Sequence, residues 1–109
     1  MQLRDLNDTE RRVLLWLVGT LVQVDGRIDP AELEELRFIE SSLEIDLMEA
    51  LQSAVQSFAD QVEALQTARF VRTEARDTIR EVVRDLATGD GELAPEEASL
   101  LAALEQAWP

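Results

Sequence analysis

Residues 21–39 read LVQVDGRIDPAELEELRFI, and residues 86–104 read LATGDGELAPEEASLLAAL. At an interval of 65 residues the two stretches share the pattern L-x-x-x-D-G-x-[IL]-x-P-x-E. Each shared position has a structural task. The Gly permits a left-handed turn, the Ile or Leu anchors the turn in the core, and the Pro starts a helix. The chain is therefore predicted to contain two copies of one helix–turn–helix unit, with Leu21 and Leu86 buried.

The first copy shows how such a unit is built. Residues 9–24 carry apolar side chains around nearly the whole helical circumference, which is typical of a buried central helix. Asp25 and Gly26 end this helix, and Gly26 suits the left-handed position past a helix end. Asp29 is a good N-cap for a second helix that runs to about residue 42.

Further helices are predicted between and after these copies. Asp46 caps a third helix with an apolar stripe through residue 58, and a short fourth helix is expected around residues 61–66. A long helix is predicted over residues 67–86, because its apolar residues follow a 3.6-residue period. Pro95 opens the last helix.

These elements define the expected fold. The 109 residues, 46% of them hydrophobic, suit one domain with one core, and no strand-like alternation occurs. We expect residues 1–109 to form one all-α domain, a compact bundle of five to seven helices. Residues 9–42 and 74–107 should be related by an internal pseudo-twofold axis, with Gly26 and Gly91 both at positive φ.

Composition narrows the classes of function. The net charge of −13 disfavours binding to nucleic acids and to anionic lipids, because proteins bind both by neutralising their negative charge. The absence of Cys, His and Tyr removes a thiolate nucleophile, Cys- or His-ligated zinc and the usual proton shuttle. We therefore expect a non-enzymatic protein with a protein partner, present as a monomer or weak homodimer.

The start of the chain bears on localisation. Residues 1–12 mix acidic and basic side chains, unlike a signal peptide. The apolar run that follows, residues 13–24, contains Gly, Thr and Gln and is too short to span a bilayer. The sequence therefore predicts a cytoplasmic protein without membrane insertion.

Four carboxylates of the two motifs form the candidate metal site: Asp25, Glu32, Asp90 and Glu97. Oxygen ligands suit Ca²⁺, Mg²⁺ or Mn²⁺. An EF-hand is excluded, because the first and third loop positions hold Leu and Gln in one copy and Leu and Thr in the other. Two alternatives remain open: a metal-dependent hydrolase that uses this cluster, or a structural domain whose acids only cap helices.

The duplicated motif resembles the TerB family, the tellurite-resistance-associated helical domain also found in DjlA-type co-chaperones. The resemblance rests on Asp25-Gly26 followed by Glu32 and on Asp90-Gly91 followed by Glu97. It implies a helical fold with approximate internal twofold symmetry and a cation site where the acidic motifs meet. It also implies a role in stress-linked, tellurite-resistance-type or envelope-associated assemblies of bacteria.

A basic stripe is the candidate partner-binding surface. It consists of Arg69, Arg72, Arg76, Arg80 and Arg84, spaced by three or four residues on the predicted long helix. The stripe is interpreted either as a docking face for an acidic partner or phosphate, or as a solvated face with intrahelical pairs such as Asp77–Arg80. Trp108 either caps the core or anchors a partner.

Overall fold

Seven helical segments follow one another along the part of the chain that the structure describes. That part is residues 1–25, 30–87 and 95–108, without the side chains of residues 23–25, 31 and 96. In this computed structural model the segments are a 3-10 helix (Leu3–Asp5), α1 (Asp8–Asp25), α2 (Pro30–Leu43), α3 (Leu47–Ser57), α4 (Gln61–Ala68), α5 (Thr73–Ala87) and α6 (Pro95–Ala107). These ranges contain no strand, and the predicted all-α bundle of five to seven helices is confirmed. None of the described helices is long and apolar enough to cross a membrane.

Helix α1 is the central helix, as its apolar circumference predicts. It packs against α3, α4, α5 and α6, and most of its apolar side chains are buried. Its start is fixed by a capping box: Asn7 Oδ1 accepts the Glu10 N–H at 2.9 Å, and a Glu10 carboxylate oxygen accepts the Asn7 N–H at 2.9 Å.

Helix α3 lies across α1 on a face that includes Trp16 and Gly19. The Trp16 ring meets the Phe58 ring edge-on, with their centroids 6.4 Å apart. A Cβ atom added at Gly19 would lie 2.9 Å from Cγ2 of Val55, so Gly at this position allows the two helices to approach closely. The predicted N-cap Asp46 is confirmed, since its side chain accepts the Glu49 N–H.

The prediction of one long helix over residues 67–86 is wrong. Helix α4 ends at Ala68, and α5 begins only at Thr73. Between them, Phe70 and Val71 donate backbone bonds to the carbonyl oxygens three residues earlier, which is a 3-10 pattern. The next backbone N–H, that of Arg72, donates to the carboxylate of Glu10, which lies 62 residues earlier in the chain.

The chain repeats its local geometry at the interval of 65 residues found in the sequence. Helices α1 and α5 begin 65 residues apart, and so do α2 and α6. Arg11 donates from Nε and Nη2 to the carbonyl oxygens five and seven residues earlier, both at 3.1 Å. Arg76, 65 residues later, makes the same two bonds at 3.0 Å. The matching bonds show that the similarity between the two copies extends to residues before the shared sequence motif.

Helix contacts follow the same correspondence. Helices α1 and α5, which occupy matching places, pack on each other. Helix α2 of the first copy packs on α5, and helix α6 of the second copy packs on α1. The 3-10 helix packs on α2, just as α4 packs on α6. Exchanging α1 with α5, α2 with α6 and the 3-10 helix with α4 therefore maps these contacts onto one another, whereas the contacts of α3 with α1 and α2 have no match among the described elements. This is the pattern that an internal twofold axis would produce.

The buried residues agree with the predicted core. Leu21 and Leu86 are 2% and 3% exposed, as expected. The apolar stripe of α5 is buried throughout. On α2, Leu36 is buried but Phe38 is 56% exposed. The predicted turn and cap residues Gly26, Asp29 and Gly91 lie outside the described residues.

The end of α2 provides a prediction about local strain. Glu44 has a φ of 55°, and the Ile45 N–H donates to the Glu40 carbonyl at 3.3 Å, as in a Schellman motif. A side chain in this left-handed conformation costs about 1 kcal/mol. Glu44→Gly should therefore be more stable than Glu44→Ala by about 1 kcal/mol in urea unfolding. Equal stability of the two variants would show that the helix does not end in this conformation.

Candidate functional site

Two of the four predicted metal ligands are described, and they occupy matching places. Glu32 and Glu97 are the third residues of α2 and α6, and each is only 5% exposed. Carboxylates are rarely buried to this extent without partners. Each of the two has a polar interaction within the chain. The structure therefore places a buried carboxylate in the first turn of the helix that follows each Asp-Gly motif of the sequence.

The remaining predicted ligands fall outside this description. The Asp25 backbone forms the last residue of α1, but its side chain and the whole of Asp90 lie outside the described residues. Among the side chains that the structure does describe, no group of three or more acidic residues is arranged to hold a metal ion. The four-carboxylate site therefore remains a prediction.

A second carboxylate site, which was not predicted from the sequence, joins the N-terminal segment to the start of α5. Glu10 is 0% exposed and forms an ion pair with Arg72. Arg72 Nη2 donates to one carboxylate oxygen at 2.8 Å, and its Nε donates to the other at 2.9 Å. Arg72 also donates from Nη2 to the Asp5 carbonyl at 3.1 Å. This fork holds the start of α5 against the N-terminal segment.

The Glu10 carboxylate also serves two helix starts. One oxygen accepts the Asn7 N–H at 2.9 Å, and the other accepts the Arg72 N–H at 3.1 Å. Asn7 and Arg72 are 65 residues apart and precede α1 and α5 by one residue. Ala75 stands in the second copy where Glu10 stands in the first. A single carboxylate thus satisfies the N-cap backbone N–H of both helices.

These hydrogen bonds shift the pKa values of both Glu10 and Arg72. Hydrogen bonds from Arg72 lower the pKa of Glu10 from 4.5 to about 2, against the opposing effect of burial. Bonding to Glu10 raises the pKa of Arg72 above its ordinary value. Glu10 is therefore ionised at every pH at which the domain is expected to work.

Loss of this charge should destabilise the domain in a pH-dependent way. We expect Glu10→Gln to cost about 1.5–3 kcal/mol at pH 7, the range for hydrogen bonds to charged groups. Because folding lowers the pKa of Glu10, its stabilisation is complete above about pH 4.5 and is lost as the pH falls toward about 2. Urea unfolding at a series of pH values from 7 to 2 measures the difference in free energy of unfolding between Glu10→Gln and the wild type.

The exposed Glu34 provides a matched control for this measurement. Glu34→Gln removes the same charge from a surface position and should change stability by less than about 0.5 kcal/mol at each pH. If Glu10→Gln behaves like Glu34→Gln, Glu10 does not join the two halves as described.

The predicted basic stripe is divided between two elements. Arg69 is the C-cap of α4, and Arg72 precedes α5, so their placement on one long helix is wrong. Arg76, Arg80 and Arg84 do lie on α5. Arg76 bonds to backbone carbonyls of the preceding turn, and Arg72 bonds to Glu10. A role for the stripe in binding a partner remains a prediction.

Trp108 lies beneath two of these arginines. It is 1% exposed, so it caps the core. Its indole Nε1 donates to the Ala68 carbonyl at 2.7 Å. The guanidinium carbons of Arg76 and Arg80 lie 5.9 and 5.4 Å from the ring centroid, within cation–π range.

Arg80 links α5 to the end of the chain. Its Nη2 donates to the Trp108 carbonyl at 2.7 Å, and its Nε donates to Glu105 at 2.9 Å. Its Nη1 lies 3.1 Å from Asp77, which confirms the predicted intrahelical pair. The Arg80 side chain is therefore held by α6 as well as by its own helix.

Comparisons with known proteins add no assignment. No protein-family model, curated protein or solved structure matches the chain.

Proposed function

We propose that this protein is a non-enzymatic helical interaction module of the TerB-like type whose two Asp-Gly motifs together bind a divalent cation. The observation that carries the proposal is the matched burial of Glu32 and Glu97, each 5% exposed and 65 residues apart. By resemblance, the module would act in stress-linked or tellurite-resistance-type assemblies in the cytoplasm.

The chemistry of the four carboxylates favours a cation. Asp25 and Asp90 lie seven residues before the two buried glutamates in the sequence. If the four groups converge, their mutual repulsion is relieved by an ion that takes oxygen ligands, such as Ca²⁺, Mg²⁺ or Mn²⁺. An ion bound only by the folded state stabilises it by RT ln(1 + [L]/Kd), about 2.7 kcal/mol at a hundredfold excess over Kd.

The same residues support a binding role over a catalytic one. Without His, Cys or Tyr, only carboxylates and hydroxyls remain to transfer protons near neutral pH. A hydrolase that uses the acidic cluster would therefore rely on a metal-activated water alone. A screen for phosphoester and peptide hydrolysis in each of the three cations distinguishes this alternative from the interaction module.

Thermal melting tests the cation. The melting temperature in CaCl₂, MgCl₂ or MnCl₂ should exceed the melting temperature in NaCl at matched ionic strength. The ionic strength has to be matched because screening by any salt stabilises a chain of charge −13. Asp25→Asn and Asp90→Asn keep capping capacity but remove charge, and each should abolish the divalent-specific increase.

Two variants serve as controls for this comparison. Glu49→Gln and Glu63→Gln remove surface charge far along the sequence from both motifs and should leave the divalent-specific increase intact. Equal increases in NaCl and CaCl₂ would leave the motif carboxylates as helix caps. The same conclusion would follow if the Asn variants melted higher without any response to ions.

A further inference from the structure

The break between α4 and α5, here called the 69–72 turn, presents the side chain of Phe70 to solvent. This side chain is 82% exposed, more than any other large hydrophobic side chain that the structure describes. Its neighbour Val71 is 2% exposed and anchors the turn in the core. The Phe70 and Val71 N–H groups donate to carbonyl oxygens three residues earlier, both at 3.0 Å, and the Arg72 N–H donates to Glu10 at 3.1 Å. The exposed ring is therefore carried by a backbone that its hydrogen bonds hold in place.

The first copy builds the same turn without an aromatic side chain. At the interval of 65 residues, the Asp5 and Leu6 N–H groups donate to carbonyl oxygens three residues earlier at 2.9 and 3.1 Å. Leu6, 3% exposed, stands where Val71 stands, whereas the exposed Asp5 stands where Phe70 stands. A charged residue thus serves this turn as well as Phe does. Because folding does not require the exposed ring, the ring is available to a partner.

Two arginines of this region carry charge that the chain does not neutralise. Arg69 is exposed, and Arg76 donates from Nε and Nη2 to two carbonyl oxygens of the turn, both at 3.0 Å. Neither arginine forms an ion pair with a described residue. Arg72, in contrast, is paired with Glu10. The turn therefore combines one exposed aromatic ring with two uncompensated positive charges.

This combination is unusual on a chain of net charge −13. Asp5 and Glu74 lie near Arg72, so the excess positive charge lies with the two uncompensated arginines. Carboxylates form charge-assisted hydrogen bonds with guanidinium groups, and an apolar side chain of a partner would cover the Phe70 ring. At physiological salt, screening acts over about 8 Å, so acids elsewhere on the surface repel a short segment only weakly. A nucleic acid or a membrane covers a wider area and would meet those acids directly.

We propose that the 69–72 turn docks a short acidic segment of a partner protein, with an apolar side chain on the Phe70 ring and Asp or Glu side chains on Arg69 and Arg76. The proposal rests on the interaction role proposed above and specifies the chemistry of the partner. It uses the complementary charge of the turn and the exposed ring that the first copy lacks. Binding at this turn is independent of the motif cation.

An array of labelled peptides tests the docking site. Each peptide carries Asp and Glu around one central Leu, Phe or Trp, and its binding is measured by fluorescence anisotropy at 0.15 M NaCl in EDTA. We expect Arg69→Gln/Phe70→Ser to weaken binding of the tightest peptide at least ~tenfold. The same peptide with Ser in place of its acids should bind the wild type at least ~tenfold more weakly.

The chain offers a matched control, because Arg37 and Phe38 on α2 form the same exposed dipeptide. Arg37→Gln/Phe38→Ser removes the same charge and the same ring and should bind within ~twofold of the wild type. A third variant, Phe70→Asp, places in the second copy the residue that the first copy has. It should weaken binding at least ~tenfold while its melting temperature changes by less than ~3 °C, which separates docking from folding.

Further readouts locate the docking site. Amide shifts on peptide binding should cluster at residues 66–76. Equal losses in the two double variants, binding by none of the peptides, or shifts on another surface would overturn the 69–72 turn as the docking site. Self-association that Phe70→Asp removes would overturn the acidic partner as well, because the turn would then join two copies of this chain. Since EDTA removes divalent ions, these outcomes leave the cation proposal to its own test.

Discussion

Replacing Trp108 with Ala is expected to lower the free energy of unfolding by about 3–5 kcal/mol. The side chain is 1% exposed, and its removal leaves a large cavity between α4, α5 and α6. It also leaves the Ala68 carbonyl without its indole donor. The free energy of unfolding of a small domain is about 5–15 kcal/mol in total, so the variant should lose a large part of its stability.

Trp108→Phe separates packing from hydrogen bonding in this prediction. Phe keeps most of the ring volume and the surface under Arg80 but cannot donate to Ala68. We expect it to cost about 1–3 kcal/mol, less than Ala. Urea unfolding followed by circular dichroism measures both variants. A loss below about 1 kcal/mol for Trp108→Ala would mean that the end of the chain is not part of the core.

Truncating either Leu21 or Leu86 to Ala should lower the free energy of unfolding by about 2–5 kcal/mol. The two side chains are 2% and 3% exposed and stand at matching positions of α1 and α5. Because the positions correspond, the two costs should also be similar in size. Chemical unfolding of the purified variants gives the values directly.

Leu33→Ala is the control for this pair. Leu33 is 41% exposed on α2, so its truncation should cost less than about 1 kcal/mol. A small loss at Leu21 or Leu86, comparable to that at Leu33, would contradict the assignment of these two residues to the core.

Much of the fold follows from local sequence rules. The apolar circumference of α1 predicts a central helix, and Pro30 and Pro95 do begin α2 and α6. Asp46 caps α3 as its position predicts. These features succeed because caps, Pro and hydrophobic period act within a few residues.

The break between α4 and α5 could not be predicted from a local pattern. The apolar period continues through Val71, and a straight helix would satisfy it equally well. The break depends on the carboxylate of Glu10, which accepts the Arg72 N–H from 62 residues away. Only Asn7, with Glu10 three residues later, left a sequence signal, that of a capping box.

The candidate site was predictable only in part. The duplicated motif singled out Glu32 and Glu97, and the structure buries both. An acidic groove between α2 and α5, lined by Glu35, Glu81 and Asp85, left no motif, because these residues are brought together by the packing of the two helices. A sequence pattern identifies residues that repeat, whereas a groove depends on which helices meet.

The most direct test of the proposed cation site uses Mn²⁺ and two-dimensional amide NMR spectra. A bound Mn²⁺ ion broadens the amide signals of nearby residues, so substoichiometric Mn²⁺ should first weaken the signals of residues 25–32 and 90–97. Excess Ca²⁺ should restore them, and Asp25→Asn/Asp90→Asn should remove the effect. Broadening that is spread over the acidic surface, or strongest at Glu35, Glu81 and Asp85, would contradict a cation site formed by the two Asp-Gly motifs.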